Sequence, residues 1–502
     1  MSKIFKNKKI LEILSEYKNI WALSYFMNLA DWDMNVYMPE NGASSHGEAM
    51  GKASTMIQKY YLDEKFSELV NQAKEEKDLN DAEKGVVRLL SKALENFSKY
   101  PPEFLEEFNR TTTAAHTVWA KAKKENDFKS FEPYLEKLVE LAKKQADYVG
   151  YKDHPYDALL NNYEEGLTTK EVERFFDSIR PFLVDLLAHI KKSPKFKKVH
   201  PMELEKINLK QAKKLNKKVL KYFGANEKEL RLDISAHPFS QAFVPTHARI
   251  TTRYADDDIK STYTAVAHEF GHALYDLQSN PDIGYSPIEG GDSLGLQESQ
   301  SRFWENFVSR SKVFSEKFYR DIIRCGKELK KCSAEDLYAY VNNVAPSLIR
   351  VEADEVTYHF HIMIRFEIEK DLIEGKIAVK DLPKIWNAKY KEYLGVEPET
   401  DSQGVLQDIH WAGCSFGYFP TYSTGTVLSA TWAMLIEKEL GSLDELIQSR
   451  GGISKIKKWL RKNLHAYGNT YPFNDMVKKA TGKEFSTEPW KKYLEAKYKA
   501  LY

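Results

Sequence analysis

Apolar residues recur every three or four positions along most of this chain, and that spacing restricts its fold more than any other feature. Such spacing places side chains on one face of an α-helix, so each stretch that shows it predicts an amphipathic helix. The stretches are 8–28, 82–98, 102–124, 130–148, 169–192, 209–223 and 317–330. Alternation between apolar and polar residues, which indicates a strand, is scarce and clearest at 229–235 and 248–254. The sequence therefore predicts a mostly α protein with a small β hairpin or sheet edge.

The chain shows no fixed-period repeat, low-complexity tract or clear linker, so we expect one lobed domain spanning residues 1–502. Residues 1–225 consist mainly of helical patterns and predict a scaffold. Residues 226–425 hold the densest clustering of His, Gly and aromatic residues and predict the functional site. Residues 426–502 predict closing helices.

The charge balance and the cysteine count narrow the class of protein. Lys and Arg number 74 against 73 Asp and Glu, so the net charge of +1 gives no field that favours nucleic acid or an acidic membrane. Three cysteines, Cys325, Cys332 and Cys414, argue against a disulfide framework and favour a reducing compartment. No apolar run approaches the roughly 18 residues of a membrane span, and the basic N-terminus predicts a surface helix rather than a signal peptide. We expect a soluble, cytoplasmic protein.

Residues 268–272 read His-Glu-Phe-Gly-His, a pattern typical of zinc peptidases. On a helix, His268 and His272 lie one turn apart on one face, where two imidazoles can bind one metal ion. Glu269 lies beside the first histidine and can accept a proton from the attacking water. Three acidic residues, Asp256, Asp257 and Asp258, precede the motif and favour a helix start there. Gly271 within a helix costs about 1 kcal/mol against Ala and indicates close approach of substrate or of another backbone.

Catalytic zinc takes three protein ligands and keeps one open position, so a third ligand is expected from another element. Glu298 lies on a second predicted helix that begins near Asp292 or Ser293, thirty residues after His268. We favour it over Glu305 and Glu289. The structural alternative for Glu298 is a plain ion pair with Arg302, four residues further along the helix.

Six short motifs occur in order along the chain. They are His237-Pro238-Phe239, Arg249-Ile250-Thr251, His268–His272, Gln297-Glu298-Ser299-Gln300, Ile349–Asp354 and Gly404–Trp411. Together they resemble the H-P-F, D-x-R-x-T, H-E-x-x-H, H-E-S-Q, I-R-x-x-A-D and G-x-x-Q-D-x-H-W motifs of the carboxypeptidase Taq family. The chain departs from these patterns at His247, which replaces Asp, and at Gln297, which replaces His. These departures affect hydrogen bonds around the site, and through them the rate or the metal affinity, rather than the reaction type.

The resemblance implies a metal-dependent carboxypeptidase that removes single residues from peptide C-termini with one zinc or cobalt ion. It also implies a homodimer and a mostly helical, groove-containing fold similar to neurolysin and angiotensin-converting enzyme. The partners are then peptides, with no nucleic acid and no membrane. We expect broad specificity, because no pocket for a particular side chain is evident in the sequence.

Peptide hydrolysis also needs oxyanion donors and, in an exopeptidase, a group that binds the C-terminal carboxylate. The segment 408–424 is rich in Gly and aromatic residues and predicts a loop that carries the donors. The donor candidates are His410, Tyr418 and Tyr422. Arg350 is the first candidate for the carboxylate and Arg249 the second; an ion pair between Arg350 and Asp354 is the structural alternative.

Four further residues receive weaker assignments. His237 either contacts substrate or caps a strand end, and Asp354 is a candidate to orient a ligand imidazole. His359 and His361 are expected to be core or surface histidines. Two other functions stay open: an oligopeptidase or dipeptidase on the same scaffold, and a non-catalytic metal- or peptide-binding protein.

Overall fold

The computed structural model describes residues 4–196, 200–204, 206–235, 237–255, 257–291 and 293–502. Helices dominate these residues. In chain order they are α1 (Lys8–Val36), α2 (Ala43–Tyr61), α3 (Glu64–Ala73), α4 (Asp81–Lys99), α5 (Pro102–Glu125), α6 (Phe128–Val149), α7 (Pro155–Leu160), α8 (Thr169–Lys192), α9 (Leu209–Tyr222), α10 (Ile259–Leu277), α11 (Leu294–Arg302), α12 (Lys312–Ile322), α13 (Ala334–Val341), α14 (Tyr358–Glu374), α15 (Leu382–Leu394), α16 (Pro420–Leu440), α17 (Leu443–Gln448), α18 (Gly452–Asn463), α19 (Phe473–Thr481) and α20 (Glu488–Leu501). The strands are β1 (Leu230–Ile234), β2 (Ser240–Val244) and β3 (His247–Thr252). The mostly α fold expected from the periodicity is confirmed.

Six of the seven predicted helical stretches each fall on one helix, namely α1, α4, α5, α6, α8 and α9. The seventh, 317–330, is wrong beyond Ile322, where α12 ends. The chain turns there because it pairs with a distant segment. The carbonyl of Cys325 accepts a hydrogen bond from the amide of Asn208 at 2.6 Å, and Gly326 forms a β-bridge with Ile207. Helical periodicity therefore continued in sequence past the point where a long-range contact ended the helix.

The small β element has three strands in the order β1-β3-β2. The two strands predicted from alternation are β1 and β3, but they pair in parallel instead of forming a hairpin. The hairpin partner of β3 is β2, which pairs with it antiparallel and which the sequence analysis missed. Five residues with weak alternation gave β2 little signal, and its pairing is decided by the short turn to β3.

Two compact units form from interleaved parts of the chain. The first comprises Met1–Ser98, Pro201–Val341 and Leu428–Phe485, and the second comprises Lys99–His200, Asn342–Val427 and Ser486–Tyr502. The sheet and α10 lie in the first unit, whereas α14 lies in the second. The single lobed catalytic domain and its divisions near residues 225 and 425 stay predictions. Among the described residues, the search for a helix that is both long and apolar enough to span a membrane finds none.

Helix α14 shows most clearly how the second unit builds its core. Every residue from Tyr358 to Phe366 is buried, so the first half of this helix has no exposed face. Arg365 and Glu369 are fully buried on it, as are His359 and His361. Such buried side chains need hydrogen-bond or charge partners inside the protein, because a charge removed from water without a partner is very costly.

Candidate metal centre

Helix α10 carries the His-Glu-x-x-His motif, and its N-terminus is capped as the acidic run predicts. The carboxylate of Asp258 accepts a hydrogen bond from the amide of Ser261 at 2.9 Å. Asp256 lies outside the described residues. Ile259, Val266 and Phe270 are buried and form an apolar face of the helix. The helix is thereby fixed both at its start and along its apolar face.

Helix α11 crosses α10 at Gly271 with almost no space between the two backbones. It is capped by Ser293, whose hydroxyl accepts from the amide of Leu296 at 3.2 Å, while Asp292 lies outside the described residues. A Cβ atom at position 271 would lie 2.5 Å from the carbonyl oxygen of Gln300 and 2.6 Å from Cα of Ser301. Of the two reasons offered for this glycine, the structure supports the approach of another backbone.

This crossing brings His268, His272 and Glu298 together. The Oε2 atom of Glu298 lies 3.6 Å from Nε2 of His268 and 3.5 Å from Nε2 of His272. One potential ligand atom from each of the three residues lies within 4.8 Å of the others. The side chain of Glu298 is 5% exposed, and those of the histidines are 19% and 20% exposed, so the set opens on the imidazole side.

Each imidazole is held by a partner on its other nitrogen. Nδ1 of His268 donates to Oε2 of Glu305 at 2.9 Å, and Nδ1 of His272 donates to Oε1 of Gln297 at 3.2 Å. A proton on Nδ1 leaves the lone pair on Nε2, which is the form of histidine that binds a metal. The rival ligand Glu305 therefore lies behind an imidazole. Glu289, the other rival, lies outside the set and accepts from the amide of Tyr285.

Gln297 marks one of the two departures from the family motifs, and the structure shows what it contacts. Its amide nitrogen donates to the carboxylate of Asp276 at 3.2 Å and to the carbonyl of Gly291 at 3.1 Å. Its oxygen is thereby turned towards His272. The glutamine thus fixes the second imidazole through a side-chain amide, which has no titratable proton.

Two arginines balance the carboxylates of the site. Nε of Arg302 donates to Oε1 of Glu298 at 2.7 Å, so the predicted ion pair exists alongside the contact of Glu298 with the histidines. Arg302 and Arg310 also donate to Glu305, at 3.1 and 2.7 Å. Burial opposes ionisation of both glutamates, but the arginines and histidines outweigh it and hold both pKa values below the usual range. A π-helix, Phe303–Ser309, directly follows α11 and carries Glu305.

Glu269 points into the same buried region but is not one of the three clustered residues. It is 6% exposed. Burial raises its pKa, and the neighbouring His268 and His272 oppose that rise only in part. A buried carboxylate beside the metal-binding set suits a group that must take up a proton during the reaction.

The predicted carboxylate-binding residue Arg350 lies in the second unit and is 7% exposed. Its Nε and Nη2 atoms both lie 2.9 Å from Oδ1 of Asp408. Arg365 donates to the other oxygen of the same carboxylate at 2.6 Å. Burial opposes ionisation of Asp408, yet the two arginines hold its pKa well below the usual range.

Two expectations for Asp354 are wrong. It forms no ion pair with Arg350, whose acidic partner is Asp408. Nor does it orient an imidazole: it accepts hydrogen bonds from Thr357, at the amide and the hydroxyl, and from the amides of Val356 and Ala345. The reason is local, because the carboxylate satisfies the amides of the turn that leads into α14.

The segment after Asp408 is a loop only as far as Phe419, because α16 begins at Pro420. Tyr422 therefore lies on a helix, which corrects the predicted loop to residue 424. Its hydroxyl lies 3.1 Å from Nε2 of His410. Tyr418 is on the loop, with its ring centroid 5.2 Å from that of His410. Burial and Arg350 lower the pKa of His410 to about 3, so its imidazole is neutral.

The remaining candidates lie at the sheet and on α14. Arg249 donates from Nε to Nε2 of His247 at 3.1 Å, and its guanidinium lies over the ring of Phe243. His237 is exposed between β1 and β2, where its carbonyl accepts from Ser235. His359 and His361 are fully buried, as expected of core histidines.

Sequence reasoning did not single out Arg365 or Glu369. The sequence of α14 gave only a weak signal for them, because the helix also carries Glu367, Lys370 and Glu374, which are not buried. The identity of the partners was not readable, because Asp408 and Trp411 lie more than forty residues further along the chain.

Two histidines one turn apart, a glutamate from a second helix and an adjacent buried glutamate are typical of a metal-dependent hydrolase centre. The comparisons with known proteins narrow this class. The sequence model of the Carboxypeptidase Taq (M32) metallopeptidase family matches residues 12–498, and the chain belongs to that family. It is a metallocarboxypeptidase.

Similar proteins span the whole chain. Thermostable carboxypeptidase 1 of Pyrococcus furiosus is 41% identical over 499 residues, which cover 99% of this chain and 100% of that protein. Carboxypeptidase 1 of Bacillus subtilis is 35% identical over 98% of this chain and 97% of its own. A solved Pyrococcus furiosus carboxypeptidase superposes with a TM-score of 0.96 at 41% identity, covering 99% of this chain and 100% of that one. Trypanosoma cruzi metallocarboxypeptidase 1 gives 0.91 at 30% identity, with 98% and 99% covered.

Proposed function

We propose that this metallocarboxypeptidase releases single amino acids from the C-termini of peptides with broad specificity, using one zinc ion held by His268, His272 and Glu298. The observation that carries the proposal is the convergence of two imidazole Nε2 atoms on one carboxylate oxygen of Glu298. Both imidazoles donate from Nδ1 to fixed acceptors, so both lone pairs face the same point.

The donor set fits zinc well. Two nitrogens and one carboxylate oxygen form one of the ligand sets of catalytic zinc, and imidazole also suits cobalt. The surrounding charges fit a cation too, because Arg302 and Arg310 pair with Glu298 and Glu305, whereas the positive neighbours of Glu269 are the two histidines. When bound, the metal supplies a Lewis acid that polarises the scissile carbonyl and makes water more acidic.

Glu269 acts as the general base in this proposal. It accepts a proton from the water that attacks the peptide carbonyl, and it returns the proton to the nitrogen of the departing amino acid. Hydrogen-bond donors stabilise the negative oxygen of the tetrahedral intermediate. His410 and Tyr422 are the first candidates, since they are already hydrogen-bonded to each other, and Tyr418 is the third.

Arg350 binds the C-terminal carboxylate of the peptide. Two guanidiniums, those of Arg350 and Arg365, share the single carboxylate of Asp408, so these three groups keep one positive charge. His410 adds none because it is neutral. A buried cluster with one unmatched positive charge favours an anion, and a carboxylate fits the planar donors of arginine. Arg249 is the second candidate, and His237 is a further substrate contact.

The experiment that tests the proposal compares one peptide with a free C-terminus and the same peptide with a C-terminal amide. The protein is stripped with a chelator and reloaded with zinc or cobalt, and products are identified by mass spectrometry. We expect stepwise release of single residues from the free peptide, and rates lower by about 10²-fold for the amide. Dipeptides or internal fragments would favour an oligopeptidase, and tight peptide binding without turnover would favour a non-catalytic protein.

Peptides spanning different C-terminal residues test the breadth of specificity in the same assay. We also propose that the protein acts in the cytoplasm as a homodimer. All three cysteines are free thiols, which suits a reducing compartment. Sedimentation of the purified protein tests the dimer, and cell fractionation tests the compartment.

A further inference from the structure

Helix α14 carries a buried carboxylate, that of Glu369, whose ionised form is favoured by the positive charge of Arg365. Glu369 is 0% exposed. Its Oε2 accepts from the hydroxyl of Tyr156 at 2.6 Å and from the amide of Gly417 at 2.9 Å. Its Oε1 accepts from Nε1 of Trp411 at 2.8 Å. Burial raises the pKa of Glu369 to about 7, because removal from water disfavours the charged carboxylate.

All three partners of Glu369 are donors, and two of them cannot become acceptors. The indole N–H of Trp411 and the amide N–H of Gly417 only donate, whereas the hydroxyl of Tyr156 can rotate and do either. These two fixed donors face different oxygens of the carboxylate. A glutamine at 369 has one oxygen and one NH₂ group, so in either orientation it opposes a donor with a donor.

The two fixed donors lie at the two ends of one turn. Trp411 directly follows His410, and Gly417 directly precedes Tyr418. A backbone hydrogen bond closes this turn: the amide of Ser415 donates to the carbonyl of His410 at 2.9 Å. One side chain therefore ties down both ends of the segment that presents two candidate oxyanion donors.

Gly417 leaves this turn little freedom to move. Its φ is +93°, a conformation that residues with a Cβ rarely adopt, and an added Cβ would lie 2.7 Å from the carbonyl carbon of Leu159. The turn thus packs directly on the end of α7, from which Tyr156 also reaches Glu369. The carboxylate and the close packing restrain the same backbone.

We propose that Glu369 is a positioning residue for the carboxypeptidase reaction: it fixes His410 and Tyr418 through Trp411 and Gly417, and it must be a carboxylate rather than an amide. The inference rests on the contribution of His410 in the proposed function. A buried group that misplaces a catalytic side chain by about 1 Å can lower the rate by roughly 10²-fold without unfolding the protein.

The test is Glu369→Gln in the full-length, zinc-loaded protein. We expect kcat to fall about 30- to 100-fold with KM changed less than about threefold, since donors to the oxyanion act on the transition state. Zinc content, measured by mass spectrometry, should be unchanged. The matched control is Glu367→Gln, two residues earlier on α14, where the carboxylate also faces three donors, from Arg180, Lys389 and Tyr393. It should keep its kcat, whatever it does to thermal stability.

A second variant separates positioning from general damage to the core. Trp411→Phe removes the indole donor. In the Glu369→Gln/Trp411→Phe double variant, the NH₂ group of the glutamine can therefore lie where it faces no other donor. We expect Trp411→Phe alone to lower kcat, because the tie to His410 is lost, and the double variant to be no slower than the slower single variant, a non-additive result that marks direct coupling. A double variant that is as slow as the product of the two single losses would overturn the proposal.

His410→Gln distinguishes failure of this inference from failure of the proposed function. If His410→Gln loses activity while Glu369→Gln keeps normal kcat, Glu369 is only a core residue and the inference is wrong. If His410→Gln itself retains normal kcat, the assignment of His410 as an oxyanion donor fails, and the inference about Glu369 fails with it.

Discussion

Each of the two units buries a cluster of charged side chains. Carboxylates outnumber guanidiniums in the first cluster, and guanidiniums outnumber carboxylates in the second. The acidic cluster of the first unit consists of Glu269, Glu298 and Glu305 with Arg302 and Arg310, so three carboxylates face two guanidiniums. The guanidinium cluster of the second unit consists of two arginines, Arg350 and Arg365, around the single carboxylate of Asp408. Since unmatched buried charge is costly, each cluster is suited to a partner of the opposite sign.

The difference between the clusters also concerns how their side chains are held. In the acidic cluster, the imidazoles are oriented from behind and their Nε2 atoms are directed at one point. In the guanidinium cluster, Asp408 and Gln407 hold the arginines, and Gln407 accepts from both the amide of Arg350 and a guanidinium nitrogen of Arg365. We infer that the first cluster serves a metal cation and the second a peptide carboxylate.

The largest effect is expected from replacing Glu269, the proposed general base in the acidic cluster. Glu269→Gln should lower kcat by about 10³-fold, because the amide cannot accept the proton of the attacking water. Zinc affinity, measured by competition with a chromophoric chelator, should stay within a few fold of the native value. Glu289→Gln is the control, since this glutamate lies outside the ligand set and should leave kcat unchanged. Loss of zinc in the Glu269→Gln protein would instead make Glu269 a ligand.

The next effect tests the guanidinium cluster. Arg350→Gln should reduce kcat/KM for peptides with a free C-terminus by about 10²-fold, since a charge-assisted contact to the carboxylate is lost. The already slow cleavage of the amidated peptide should change much less. Arg249→Gln is the comparison variant. If it abolishes the preference for the free acid and Arg350→Gln does not, the two assignments have to be exchanged.

A smaller effect, on zinc affinity, is expected from replacing Glu305, which accepts a hydrogen bond from His268. Glu305→Gln weakens the acceptor for Nδ1 of His268 and removes one negative charge beside the metal-binding set. We expect zinc affinity to fall about 10- to 100-fold, with activity restored by excess zinc. Glu328→Gln, a change at an exposed ion pair on the surface, serves as the control. Unchanged affinity in Glu305→Gln would show that Glu305 is a structural counter-ion of Arg302 and Arg310 alone.

The smallest expected change is in the pH dependence of kcat. The pKa of His410 is lowered from 6.5 to about 3, so the imidazole is already neutral throughout the range in which the enzyme is assayed. His410→Gln should therefore lower kcat by about 10²-fold while leaving the acid limb of the kcat profile in place. A limb that moves or disappears in this variant would show that His410 ionises during the reaction, contrary to its burial beside Arg350.

Local spacing determined much of this protein. The helical period located six helices, and the spacing of His268 and His272 placed both imidazoles on one face of α10. It also indicated Glu269 as the base and Gly271 as a point of close approach. These features need only the geometry of one helix, which repeats every few residues and is readable without any knowledge of the partner.

Only the tertiary structure decided which distant groups meet. It placed Glu305 rather than Glu298 behind an imidazole, gave Arg350 the partner Asp408 instead of Asp354, and buried Glu369 under the turn after His410. It also interleaved the segments of the two units. Sequence spacing does not carry this information, because contacts between residues tens of positions apart depend on how whole helices pack, and similar glutamates and arginines offered several equivalent partners.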